Sequence, residues 1–204
     1  MTLDLFAPSD GLENLLPYDG CLHNHGLVLN LTEAQQAYAE LLRHIDWRPD
    51  QLQMFGRTIT TRRRVAWYSD AGAHYRYSGS NKTPQPWTPY LLELKARVES
   101  HVGERFNACL LNHYWDGQDG MGWHSDDEAE LGDQPSIASL SLGAERVFAL
   151  RHKRTQDERR LPLASGQLIV MRGDTQHHWR HSLLKSRRID AGRINLTFRT
   201  ILRP

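Results

Sequence analysis

The hydrophobic pattern of this chain changes period at Gly103. Beyond it, apolar and polar residues alternate in short stretches at Phe106–Tyr114, Ile137–Leu142, Arg146–His152, Gln167–Met171, Trp179–Leu183 and Arg193–Leu202. Gly, Asp, Pro and Ser punctuate them, and alternation of this kind marks strands with one buried face. No helical stretch lies between them to carry a crossover, so a parallel sheet is disfavoured. The pattern predicts an antiparallel sandwich or jelly roll.

Ahead of Gly103 the spacing is helical in two places. Thr32 and Gln35 form a capping box, and Ala34, Ala37, Tyr38, Leu41, Leu42 and Ile45 recur on one face. The second helix takes Thr88 as cap and Pro89 as its first residue, carries Leu91, Leu94, Val98 and Val102, and stops at Gly103. Between the two lies a basic, aromatic loop region. Residues 1–30 read as an N-terminal extension with a short strand at Leu27–Leu29. The fold class expected is therefore mainly β with flanking α, two N-terminal helices supporting a β core. With 204 residues the chain fits one catalytic domain, residues 31–204, whose core occupies 104–204.

Lys and Arg number 25 against 24 Asp and Glu, so no global field advertises an anionic partner. A nucleic-acid surface has to be a local patch. Cys21 and Cys109 lack C-x-x-C spacing, and the N-terminus has neither the basic start nor the apolar run of a signal peptide. No apolar run approaches the roughly 20 residues of a membrane helix. A soluble, cytoplasmic monomer with no membrane partner is expected, in a bacterial cytosol, or in the nucleus if the source is eukaryotic.

The chemistry begins at His124-Ser125-Asp126, where an imidazole and a carboxylate two residues apart point the same way on an extended segment. Alone, such a pair is as readily a surface dipeptide. The stretch Gln176-His177-His178-Trp179-Arg180-His181 offers three candidates for a third ligand. Two His and one carboxylate on one face of an iron leave positions open for a cosubstrate and O2. The last strand adds weight. Ile194, Leu196 and Phe198 share one face as core, whereas Arg193, Asn195, Thr197 and Arg199 share the other. Two inward-leaning guanidinium forks can clamp the ends of one small dicarboxylate.

The order H-x-D, then His181, then Arg193-Ile194-Asn195-Leu196-Thr197-Phe198-Arg199 resembles the AlkB family of dioxygenases, as do Asn112-His113-Tyr114, Pro135–Gly143, Arg151-His152-Lys153 and His178–Leu183. The resemblance runs from about Phe55 to Leu202 and is nearest to the DNA-repair type. It implies a double-stranded β-helix (a cupin-like jelly roll) with a nucleotide-recognition lid at 50–90, and Fe(II) with 2-oxoglutarate and O2 as cosubstrates. It also implies that His124, Asp126 and His181 are the iron ligands and the catalytic centre, with His177 and His178 as strand or loop residues. Asn112, Tyr114, Arg193, Asn195 and Arg199 are then the residues that bind 2-oxoglutarate. The reaction implied is hydroxylation of an N-methyl group, collapse to formaldehyde and the repaired base, and release of succinate and CO2.

Substrate choice falls to the region ahead of the core, where Met54-Phe55-Gly56, Arg62-Arg63-Arg64 and Tyr75-Arg76-Tyr77-Ser78-Gly79 interleave rings and charges. An enzyme acting on a base inside a duplex extrudes it and stacks it between flat side chains. By resemblance Phe55 is the wedge that fills the vacated stack, Tyr75 and Tyr77 are pocket walls, and Ser78, Asp127 and Glu128 stand near the base edge. An acidic lining suits cationic 1-methyladenine or 3-methylcytosine. Arg62, Arg63, Arg64, Arg151 and Lys153 are candidate phosphate contacts. Ser125 stands where the family often has a larger residue. The expected partner is alkylated DNA, with RNA, a protein side chain or a small molecule as the competing substrates.

Overall fold

A computed structural model of the chain describes residues 12–54, 57–71, 75–77, 80–82 and 84–202, with the backbone alone at 51–54, 57–59, 75–77 and 80–82. In chain order the elements are β1 (Cys21–Leu27), α1 (Leu31–His44), β2 (Arg48–Met54), β3 (Arg57–Ser69), β4 (Tyr75–Tyr77), β5 (Ser80–Lys82), α2 (Pro89–Val102), β6 (Ala108–Tyr114), β7 (Met121–His124), β8 (Ile137–Gly143), β9 (Arg146–His152), β10 (Glu158–Leu163), β11 (Gln167–Arg172), α3 (Thr175–His178), β12 (Trp179–Leu183) and β13 (Arg193–Arg199). Strands β1-β11-β8-β13-β6-β3-β2 form a major sheet and β10-β9-β12-β7 a minor one, each antiparallel throughout, with β4 and β5 as a separate hairpin. Two facing antiparallel sheets are the jelly roll anticipated from the alternating pattern.

Two apolar layers follow from alternation on the major sheet. Leu111, Leu140, Leu142, Ile194, Leu196 and Phe198 point outward and pack with Ala34, Ala37, Leu41, Leu91, Leu94 and Val98 of the two helices. Leu110, Ile137, Ile169 and Met171 point inward and meet Phe148, Leu150 and Trp179 of the minor sheet. The interior of the sandwich is thus apolar at one end, and β13 places its polar face on that same inner side.

The α2 boundaries match the sequence reading: Thr88 Oγ1 accepts from the Leu91 amide at 3.2 Å, and Gly103 ends the helix at φ 76°, where a side chain would be strained. The start of α1 differs. Asn30, not Thr32, is the cap, accepting from the Glu33 amide at 2.9 Å while Glu33 returns a carboxylate to the Asn30 amide at 2.8 Å. Both pairs have capping-box spacing, but a carboxylate in the first turn also meets the positive end of the helix dipole. Leu42, placed in the apolar stripe by its spacing, is 41 % exposed.

Larger differences lie in the strands. The basic stretch between the helices, read as loop, holds the long β2–β3 hairpin, and β3 extends the major sheet beside β6. Its inward positions are Arg63, Val65 and Trp67, so an arginine occupies a core site and the apolar alternation is broken. The stretch set apart as an N-terminal extension contributes β1, which pairs with β11 rather than starting at Leu27. β7 and β10 were also absent from the sequence reading; β10 is a polar edge strand carrying Pro162, as only an edge tolerates. Among the described residues, no helix is long and apolar enough to cross a membrane.

Candidate metal and cosubstrate site

Strand pairing brings the two histidines together. His181 on β12 lies directly opposite His124 on β7, and their rings stand 4.2 Å apart between centroids. Asp126 follows β7, its amide held by Gln176 Oε1 at 2.9 Å, while the intervening Ser125 hydroxyl donates to the Trp179 carbonyl at 2.9 Å. A small residue at 125 thus ties the H-x-D segment to the strand that carries His181. The imidazoles and carboxylate offer one ligand atom each, all within 4.8 Å of one another.

The protonation pattern fits a metal. His124 Nδ1 lies 2.9 Å from the Gly122 carbonyl, which can only accept, so the hydrogen sits on Nδ1 and the Nε2 lone pair faces the cluster. Burial pulls the His181 pKa down to about 3, reinforced by His124 and Arg199 against the opposing effect of Asp126, leaving a neutral imidazole. Asp126 is 2 % exposed. Its burial alone raises the carboxyl, but the Arg199 charge, with the neighbouring imidazoles and the Arg199 hydrogen bond, outweighs this and holds it below the usual range. Oδ2 accepts from Arg199 at 2.8 Å; buried Oδ1 has no hydrogen-bond partner among the described residues and stands 3.7 Å from His124 Nε2. A buried anionic oxygen aimed between two imidazole nitrogens is a donor set suited to Fe(II).

A second group, Asp19, His152 and His178, also has metal-like spacing. His152 Nδ1 accepts from the Thr155 amide at 3.1 Å, so its hydrogen sits on Nε2, which faces Asp19 Oδ2 at 3.3 Å. The lone pair a metal needs is thereby absent. His177 pairs with exposed Asp133 at 3.0 Å. Neither His177 nor His178 is a strand or loop residue as expected: both lie on the single turn α3.

The same cavity takes the polar face of β13. Arg193 and Arg199 stand at its two ends, with Asn195 and Thr197 between, Asn112 and Tyr114 on β6 at one side and Ser139 on β8 at the other. Arg193 Nη2 donates to Ser141 Oγ and Asn195 Oδ1, each at 2.8 Å, and its guanidinium lies 5.6 Å from the Tyr114 ring centre. Asn195 in turn accepts from Ser139 Oγ at 3.0 Å and donates to Thr197 Oγ1 at 2.8 Å. Burial lowers the Arg193 pKa to about 10, which still leaves it charged at neutral pH. Among the described residues, the buried side-chain oxygen of Asn112 has no hydrogen-bond partner. Two buried cations at the ends of a polar trough, one touching the metal-site carboxylate, form a receptor for a dicarboxylate.

Arg63 is corrected as a phosphate contact. It is 3 % exposed, pairs with buried Asp50 and lines the cavity beside Met121. Among the other basic candidates, Arg62 bonds Asp116 at 2.9 Å, Arg64 lies over Trp115, Arg151 stacks on Trp123 at 4.2 Å while bonding Glu158, and Lys153 donates to the Gln176 carbonyl. Asp127 is exposed, 3.9 Å from Lys153, and Glu128 is half-buried; neither lines the cavity. Phe55 and Ser78 lie outside the described residues, and Tyr75 and Tyr77 are described by backbone alone, on β4. Sequence reasoning missed Gln176, Asp50 and Ser141. Only Gln176, next to the histidine-rich stretch, carried a local signal.

The chain matches the model of the 2OG-Fe(II) oxygenase superfamily over residues 20–199. It is 40 % identical over 195 residues to the DNA oxidative demethylase ALKBH2 of Mus musculus, covering 90 % of this chain and 82 % of that protein. It is 38 % identical over 183 residues to the alpha-ketoglutarate-dependent dioxygenase alkB homolog 3 of Rattus norvegicus, covering 85 % and 61 %. Among solved structures, OsALKBH1 superposes with a TM-score of 0.61 at 16 % identity, over 91 % of this chain and 99 % of that one. A prolyl-4-hydroxylase from Pseudomonas putida gives 0.58 at 15 % identity over 90 % and 93 %.

Proposed function

The chain belongs to the 2OG-Fe(II) oxygenase superfamily and is an Fe(II)- and 2-oxoglutarate-dependent dioxygenase of the AlkB type; from that premise we propose that it repairs alkylated DNA by oxidative demethylation of bases such as 1-methyladenine and 3-methylcytosine. The relatives named as DNA oxidative demethylases support this substrate, since one of them shares 40 % of its residues over most of both chains. The observation that carries the reading is the convergence of the His124/Asp126/His181 donors and the Arg193–Arg199 face on one buried cavity.

In this reading His124, Asp126 and His181 hold Fe(II). The bound iron supplies the coupling of 2-oxoglutarate decarboxylation, to succinate and CO2, with hydroxylation of an N-methyl carbon by O2. Arg193, backed by Ser141 and Asn195, receives the carboxylate far from the metal. Arg199 receives the nearer one while holding Asp126 in place, and Asn112 and Tyr114 close the side of the trough. The surrounding apolar residues, Leu110, Phe148 and Leu183 among them, exclude water from the oxidation. The hydroxymethyl product then loses formaldehyde to give the unmodified base. Phe55, Tyr75, Tyr77, Ser78, Asp127 and Glu128 remain the proposed contacts of the base.

Incubation with Fe(II), 2-oxoglutarate and oligonucleotides carrying 3-methylcytosine tests the reading. Stoichiometric succinate, formaldehyde and restored cytosine are expected. Steady 2-oxoglutarate turnover that leaves methylated DNA untouched would overturn it.

A further inference from the structure

The metal-site carboxylate stands just past the end of its strand. β7 stops at His124, and Ser125, Asp126 and Asp127 run on outside any sheet. All three are tied to one place. Ser125 Oγ donates to the Trp179 carbonyl and the Asp126 amide to Gln176 Oε1, each at 2.9 Å. The exposed Asp127 carboxylate lies 3.9 Å from Lys153 Nζ, which itself donates to the Gln176 carbonyl at 2.9 Å. Gln176, on the single turn α3, is 2 % exposed and lies at the centre of these contacts.

Support runs from α3 to Asp126, because two neighbours fix the turn independently of the carboxylate. On one side buried Thr175 accepts from the Cys21 amide at 2.8 Å, and Trp179 Nε1 donates to the Tyr18 carbonyl at 3.1 Å, so the chain around the start of β1 holds both ends of the turn. On the other, Lys153 donates its amide to the His178 carbonyl at 2.7 Å as well as its ammonium to that of Gln176. A turn fixed from both flanks delivers its side chain to a set position. The orientation of the Gln176 amide follows too. The Asp126 N–H can only donate, so the oxygen faces it, and Nε2 is left 3.5 Å from the Met171 sulfur, a weak acceptor. The stronger contact of this buried amide is thus the one made to backbone that bears a metal ligand.

A carboxylate ligand is aimed by its backbone as well as by its own hydrogen bonds. Arg199 holds Oδ2. The Gln176 contact fixes the main chain from which the side chain springs, and does so from the segment that runs on into β12 and His181. Two of the three donors are thereby set relative to each other by the fold itself, and partners behind the ligands govern how tightly a site takes its metal. We propose that Gln176 is a positioning residue for the metal site: its side-chain oxygen holds the Asp126 backbone against the segment that bears His181, and so sets the affinity for the metal. This rests on the assignment of His124, Asp126 and His181 as the ligands in the reading above.

Titration of the full chain with Mn(II) alone, followed by loss of the free-ion electron paramagnetic resonance signal, reads that affinity without turnover. Gln176→Met keeps the length of the side chain but offers the Asp126 amide no oxygen, and its dissociation constant is expected to rise at least about tenfold. Gln176→Glu keeps an oxygen of the same reach, whether ionised or not, and is expected to stay within about threefold of wild type. A role in packing alone would lower the urea midpoint of Gln176→Met and leave its Mn(II) constant unmoved; that result, or equal weakening in both variants, overturns the proposal. Should Gln176→Met not fold, hydrogen exchange of the wild-type Asp126 amide without metal decides: slow exchange supports the contact, and exchange at the rate of a free amide overturns it. His124→Ala separates this inference from its premise. It is expected to abolish Mn(II) binding, and undiminished binding would overturn the ligand assignment and this inference with it.

Discussion

The Arg199 guanidinium donates to Asp126 Oδ2 across 2.8 Å, joining the cosubstrate trough to the metal site through two side chains that are 3 % and 2 % exposed. One residue thereby serves two purposes. It holds the carboxylate so that Oδ1 points at the histidines, and it waits at the end of the trough for a second carboxylate. Arg199→Met is expected to destabilise the metal-free protein by about 3–5 kcal/mol in urea unfolding, since a buried carboxylate loses its cation. The KM for 2-oxoglutarate is expected to rise about ten- to a hundredfold as a charge-assisted contact is lost. Arg199→Lys keeps the charge without the fork and is expected to fall between. Unchanged stability in Arg199→Met would mean that the pair contributes nothing.

The same contact separates two ligand variants that a simple ligand count treats alike. His124→Ala and Asp126→Ala are both expected to abolish succinate and formaldehyde release. His124 is 27 % exposed and its removal strands no charge, so His124→Ala is expected to melt near wild type. Asp126→Ala takes the carboxylate away from the buried Arg199 guanidinium, and breaking a buried ion pair by removing one partner costs about 3–5 kcal/mol. Comparison of the two melting curves, recorded without metal, checks this; equal melting temperatures would contradict it.

What could be read from the sequence was whatever alternation or capping expresses locally. β13 announced both of its faces because Ile194, Leu196 and Phe198 interleave with Arg193, Asn195, Thr197 and Arg199, and the structure puts the first set under the helices and the second in the cavity. α2 was legible at both ends for the same local reason, a Thr88 cap and a left-handed Gly103. β3 was not, because an inward position is taken by Arg63, whose partner Asp50 lies on another strand. No periodicity rule marks a buried ion pair. The His124–His181 encounter was likewise invisible to spacing, since it depends on β7 pairing with β12, and β7 is too short to show a period.

Arg146 illustrates a long-range determinant that the pattern hides. It is 1 % exposed, and its guanidinium donates to the carbonyls of Asp116, Gly117, Asp119 and Leu184 at 2.7–3.3 Å. It thus pins the loop that leads into β7 to the segment leaving β12, the two strands that carry His124 and His181. Arg146→Met removes the charged donor from four carbonyls, of which those of Asp116 and Gly117 keep a backbone donor, and a hydrogen bond to a charged group contributes about 1.5–3 kcal/mol. A loss of more than about 3 kcal/mol in urea unfolding is expected, with Arg146→Lys recovering part of it. A wild-type midpoint for Arg146→Met would remove Arg146 from the supports of the site.

His113 sits on β6 facing away from the cavity, 2 % exposed and packed among Tyr38, Trp47 and Trp115. Burial lowers its pKa, with a further decrease from Arg64 and a smaller opposing effect of Asp119. The folded state therefore binds this proton less readily than the unfolded chain, whose imidazole titrates at about 6.5. Its contribution is present in full above that value and is lost as pH falls from about 6.5 towards the lowered folded value, below which no further loss accrues. His181, lowered in the same direction, adds to the same slope, so the wild-type curve alone does not isolate His113. The difference between wild type and His113→Asn does. Urea midpoints from pH 7.5 down to pH 5 are expected to fall less steeply in the variant. Parallel curves would show that His113 takes up its proton in the fold as easily as in the unfolded chain, and the ring cluster around it would then have to open to water.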